Sequence, residues 1–140
     1  MKRLVVVTLP LLLAIAAPAS SAEDTLYQDM GGQPGIDRIA DMSVDNYLAD
    51  PRIKDIFSES NMERIRAELK DQFCVIADGP CRYTGHDMVA THKGLHLTNA
   101  NFNALVEDLQ AAMDSCNIPF ATQNRFLARL APMQHQVVTR

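Results

Sequence analysis

From Met62 to about Ala77 the apolar residues Met62, Ile65, Leu69, Phe73 and Ile76 recur three or four positions apart, and Glu63, Arg64, Arg66, Glu68, Lys70 and Asp71 lie among them. Only an α-helix gathers those five residues into one stripe and turns the charges to another face. Ser60 or Asn61 can cap its start,. Asp78-Gly79-Pro80 ends it, because proline cannot continue a helix and glycine tolerates the exit conformation,. The same spacing recurs elsewhere. Ile36, Ile39, Met42 and Leu48 mark a helix starting near Pro34-Gly35 and ending before Pro51,. Phe102, Leu105, Leu109, Met113 and Cys116 mark another behind a cap at Thr98 or Asn99, and Phe126, Leu130, Met133 and Val137 mark a last one with Pro132 inside it as a kink,. Short pieces are expected at Leu26–Met30, stopped by Gly31-Gly32, at 52–57, and after Asp87. No segment alternates apolar and polar residues as a strand does, so the fold class is all-α.

The first residues read as a targeting segment. Met1-Lys2-Arg3 is a positive start, Leu4 to Ala17 is almost continuously apolar, and Ser20-Ser21-Ala22 supplies small residues for cleavage. This is a secretory signal peptide over 1–22, too short for a stable membrane anchor. Residues 23–140 then form a single domain, exported to the periplasm or secreted. Removing Lys2 and Arg3 leaves 11 basic against 17 acidic residues, a net charge of −6. Such a chain has no general attraction to nucleic acid or anionic lipid. The rest holds no stretch apolar enough for membrane insertion,.

Catalytic signatures are missing: there is no glycine-rich phosphate loop, no paired-cysteine zinc spacing and no nucleophile elbow,. Of the four histidines, His86, His96 and His135 sit in polar surroundings. His92 differs, with Met88 and Val89 one turn behind it and Leu95 and Leu97 ahead. A histidine facing apolar space needs a partner for its ring nitrogens. Two readings follow from the residues alone: an iron ligand, or a core histidine bonded to a backbone carbonyl.

The wider pattern resembles a known family. Leu26-Tyr27, Gly31-Gly32, Leu48-Ala49-Asp50-Pro51, Ile56-Phe57 and Asn61-Met62 are followed by Gly79-Pro80, Tyr83-Thr84-Gly85, Asp87 to His92, Gly94-Leu95, Thr98 and Leu130-Ala131-Pro132. In this order they resemble the truncated haemoglobins, specifically their first group. The resemblance implies a two-over-two helical sandwich holding haem b, with His92 as the proximal iron ligand. It implies that Phe57 packs on the haem ring and that Phe73 lies on the helix crossing the distal side. It places Tyr83 near the haem propionates and Arg64 where it can pair with one. The family's distal hydrogen-bond donors fall on Val44, Ile65 and Leu69, all apolar here, and Asp78 replaces the first glycine of the usual Gly-Gly-Pro turn.

Tyr47 and Gln72 lie three residues from those donor positions, about one helical turn along the axis,. The expectation is therefore a five-coordinate iron in an apolar distal pocket that binds oxygen, nitric oxide or carbon monoxide. Haem-dependent nitric oxide detoxification or weak peroxidase action, with an electron donor as partner, is the enzymatic alternative. A haemless helical interaction module is a third. Cys74 and Cys81 are seven apart, and a chain reversing at Gly79-Pro80 could join them in an oxidising compartment; two independent thiols is the other reading,. Cys116 continues the apolar stripe of its helix as a core residue.

Overall fold

The computed structural model describes residues 25–139, and the signal peptide and the domain start at residue 23 lie outside them. Every regular element among the described residues is helical. They are α1 (Leu26–Asp29), α2 (Gly32–Ala49), a 3-10 turn (Lys54–Phe57), α3 (Met62–Ile76), α4 (Met88–His92), α5 (Asn99–Ser115), α6 (Phe120–Leu130), a second 3-10 turn (Ala131–Met133) and α7 (Gln134–Val137). α2 packs against both α3 and α5, while α6 packs against α1, α3 and α5. This is the two-over-two sandwich. No helix among these residues is long and apolar enough to cross a membrane.

Local chemistry sets the boundaries. Asn61 accepts a hydrogen bond from the Arg64 N–H and caps α3, and Thr98 caps α5 in the same way through the Asn101 N–H,. α2 begins two residues before the expected Pro34, because Gly31 caps it with a left-handed backbone (φ +88°),. Pro34 then falls in the first turn, where no intrahelical N–H is required,. Pro132 interrupts the last helix as its ring requires: the chain passes from α6 through a 3-10 turn into α7 with right-handed helical backbone at each junction.

Two apolar clusters hold the helices together. Leu26, Met30, Ile36, Ile39, Phe73, Leu109, Met113 and Phe126 form the larger, in which the Phe73 and Phe126 rings meet edge to face at 5.3 Å,. Val44, Tyr47, Ile53 and Ala104 form the smaller, and Leu69 packs against both. Cys74 and Cys81 form a disulfide that ties the end of α3 to the following loop. Gly79 is required within that reversal, since a Cβ there would stand 2.5 Å from both Cys74 Sγ and the Tyr27 ring. Cys116 is half-buried rather than in the core: it is the C-cap of α5, where the stripe runs out.

A polar junction fixes α2 on α5. Asn46 Nδ2 donates to the Asp108 carbonyl (3.0 Å), and Arg52 bridges Asp50 (2.7 Å) and Glu107 (2.6 Å). Asp108 Oδ2 is buried there without a hydrogen-bond partner. Burial first, and then the charge of Asp50, raises the Asp108 pKa,. The hydrogen bonds from Arg52 lower that of Asp50.

Two predictions follow from this architecture. Closing the loop between Cys74 and Cys81 contributes about 2–3 kcal/mol in the chain-entropy treatment, so Cys81→Ser should lower the urea midpoint accordingly; an unchanged midpoint would count against it. Asp108 has a raised folded pKa, so its contribution is complete below the unfolded carboxylate value and is lost as pH rises through the folded value,. Asp108→Asn should therefore be more stable than the parent at neutral pH, with the gain shrinking on acidification. A gain that grew in acid would contradict this sign.

Candidate functional site

α4 is only five residues long, and each end has a visible cause. Asp87 accepts from the Ala90 N–H (2.9 Å) and starts it; Lys93 leaves the helical conformation and Gly94, at φ +82°, turns the chain away. Within this turn His92 Nδ1 lies 2.7 Å from the Met88 carbonyl oxygen. A carbonyl only accepts, so Nδ1 carries the proton and donates. In the neutral ring Nε2 is then left with a free lone pair. The two readings of His92 from sequence are thus compatible: one nitrogen satisfies the backbone and the other is available to a metal.

His92 lines a cavity of about 230 Å³ bounded by α2, the first 3-10 turn, α3, α4, α5 and the C-terminal pieces. Its wall is mainly apolar, with Ile56, Phe57, Ile65, Leu69, Phe73 and Leu105 among the lining residues. A second space of about 220 Å³ adjoins it through Gln72, Tyr83, Met88 and Met133, which line both. Gln72 Nε2 contacts Met88 Sδ at 3.2 Å and so connects α3 to the helix of His92.

Of the residues singled out from sequence, His92, Phe57, Phe73, Tyr83, Ile65 and Leu69 are brought together on this cavity. Val44 and Arg64 are not among its lining residues. Val44 is fully buried in the smaller cluster, and Tyr47, one turn further along α2, lines the cavity instead. The reason is the lean of helical side chains toward the N-terminus, which carries a long ring back over the turn before its own Cα. Axial spacing alone had set Tyr47 and Gln72 a turn away, yet both reach the wall. The Tyr47 ring stacks on Phe57 with centroids 5.9 Å apart. Burial raises the Tyr47 hydroxyl pKa far beyond its usual range against the lowering effect of Ser43, and nearby Asp108 raises it further. The hydroxyl stays protonated and remains a donor.

One edge of the site is polar. Tyr83 donates from its hydroxyl to the His86 carbonyl (2.7 Å), and Gly85 allows the approach, since a Cβ there would meet that hydroxyl at 2.5 Å. Partial burial raises the Tyr83 pKa, as does the charge of Glu68, while Arg64 lowers it. Arg64 itself is exposed and pairs with Glu68 (2.7 Å), which does line the cavity. Arg64 therefore stands at the rim beside Tyr83 and outside the wall. His86, His96 and His135 are all exposed.

The donor set decides which kind of metal group would fit. Among the described residues no three His, Cys, Asp or Glu side chains converge to cage a bare ion. A metal on His92 Nε2 would take its other donors from a flat macrocycle. An apolar slot with a single imidazole and a polar edge matches a haem with its propionates.

Comparison with known proteins points the same way. Residues 25–139 match the bacterial-like globin family. A group 1 truncated hemoglobin of Tetrahymena thermophila is 30% identical over 96 residues, spanning 69% of this chain and 79% of that protein. The solved Fe(III) truncated hemoglobin of Tetrahymena pyriformis superposes with a TM-score of 0.80 at 25% identity, over 83% of this chain and 99% of that one. The 2/2 hemoglobin of a Synechococcus species, solved in the cyanomet state with covalently attached heme, gives a TM-score of 0.76 at 25% identity with the same coverage. The chain belongs to the bacterial-like globin family, among the group 1 truncated haemoglobins.

Proposed function

We propose that this globin holds haem b with His92 as its axial ligand and reversibly binds diatomic gases, namely oxygen, nitric oxide and carbon monoxide. The observation that carries the reading is the His92 Nδ1–Met88 carbonyl bond, which leaves Nε2 as a free donor on an apolar cavity. Bound haem would supply an iron able to take a small neutral ligand. The chain's own residues do the rest. Phe57, Ile65, Leu69 and Phe73 provide apolar surface that excludes water, while Arg64, paired with Glu68, and Tyr83, whose hydroxyl donates to the His86 carbonyl, stand at the polar edge.

No second histidine and no lysine appears among the lining residues, which supports a five-coordinate ferrous iron. The distal wall expected to be wholly apolar gains Tyr47, whose hydroxyl lies beside Ser43 and Asp108. Where that hydroxyl reaches the cavity, it would favour dioxygen over carbon monoxide as a hydrogen-bond acceptor. Glu68, the one carboxylate among the lining residues, is engaged by Arg64, which favours carriage over peroxidase-type turnover needing a mobile distal acid,. An exported location accords with the Cys74–Cys81 disulfide, since such bonds persist in oxidising compartments,.

The direct test is the absorption spectrum of the purified protein. A strong Soret band should be present, should be lost or shifted in His92→Ala, and should return toward the parent's when imidazole is added. A colourless protein that takes up no haem would reject the reading. Tyr47→Phe should speed dioxygen release several-fold and leave carbon monoxide release nearly unchanged. Identical dioxygen release in the two proteins would remove Tyr47 from the distal wall.

A further inference from the structure

α4 has little of its own to hold it in place. Its helical hydrogen bonding amounts to a single turn, Val89, Ala90 and Thr91 are exposed, and after His92 the chain runs without regular structure to Thr98. His96 in this stretch has a left-handed backbone (φ +53°), so the segment is not stiffened by a regular ladder. The residue that anchors it is Leu97, buried and lining the cavity five positions after His92.

Both backbone polar groups of Leu97 go to one partner. The Leu97 N–H donates to Thr139 Oγ1 (3.0 Å), and the Thr139 N–H donates to the Leu97 carbonyl (2.9 Å). The rest of the C-terminal segment lies against the same region: α7 packs on α4, and Met133 and Val137 line the cavity. Thr139 thus closes the C-terminal segment, α7 included, onto the stretch that follows His92.

We propose that Thr139 is a positioning residue for His92: its two-way bond to Leu97 fixes the segment following the ligand and so sets how firmly His92 Nε2 is presented to iron. The inference rests on the haem reading above. It concerns the proximal side, away from Tyr47, Ile65 and Leu69. The hydroxyl is the separable part, because valine keeps the shape of threonine and the backbone N–H but leaves the Leu97 N–H without its acceptor. Serine keeps the acceptor and loses only a methyl group.

The experiment compares the haem-loaded parent with Thr139→Val and Thr139→Ser. Its readouts are the iron–histidine stretching band of the ferrous protein by resonance Raman and the rate of haem transfer to an acceptor protein. In Thr139→Val the band should shift to lower frequency or broaden and haem loss should quicken several-fold, whereas Thr139→Ser should match the parent in both. A lowered melting temperature in Thr139→Val with an unchanged band and haem-loss rate would overturn the proposal, reducing Thr139 to a structural role while the haem reading stands. Absence of any iron–histidine band in the parent would overturn both.

Discussion

The candidate site depends on a single hydrogen bond inside a five-residue helix, from His92 Nδ1 to the Met88 carbonyl. It spans one turn, so forming α4 is sufficient to bring donor and acceptor together. It fixes the imidazole tautomer and orients the ring, the two things a metal-binding histidine needs from its surroundings. The other elements are placed so that this ring faces an apolar space and not water. α3 and α5 supply walls, the Gln72–Met88 contact ties α3 to α4, and the Leu97–Thr139 pair ties down the stretch after it.

The opposite wall is governed by helix geometry. Val44 and Tyr47 lie on nearly the same face of α2, three residues apart, and compete for the position next to the cavity. Valine is too short to extend past the cluster that buries it. Tyrosine leans back over the valine's turn and stacks on Phe57, leaving its ring on the cavity wall,. Burial without a compensating cation then keeps the hydroxyl protonated. The chain thereby has a tyrosine on the wall at a position different from the one the family pattern indicates.

Much of the fold was legible because it follows from periodicity and punctuation. The stripe Met62, Ile65, Leu69, Phe73 and Ile76, with Asn61 before it and Gly79-Pro80 after, delimits α3 almost to the residue. The same logic located α4 and α5. At the prolines the local rule leaves more open: Pro132 lies in a 3-10 turn that kinks the last helix between α6 and α7, and the helix expected near Pro34-Gly35 begins at Gly32 because its first turn tolerates proline. Within the site, His92, Phe57 and Phe73 are indicated by the family resemblance, and all three line the cavity. Tyr47 was misplaced because axial distance ignores side-chain direction. Thr139 carried no signal at all, since its partner is 42 residues away and only the folded path of the C-terminus brings the two together.

The central claim is that His92 presents a bare Nε2 to a haem iron while Nδ1 remains bonded to Met88. Crystals of the haem-loaded protein, measured at the iron absorption edge, locate the metal directly by its anomalous signal. The account predicts one iron per chain within bonding distance of His92 Nε2, with Nδ1 still at hydrogen-bond distance from the Met88 carbonyl. An iron bonded to another side chain, or a His92 ring turned so that Nδ1 faces the metal, would contradict it.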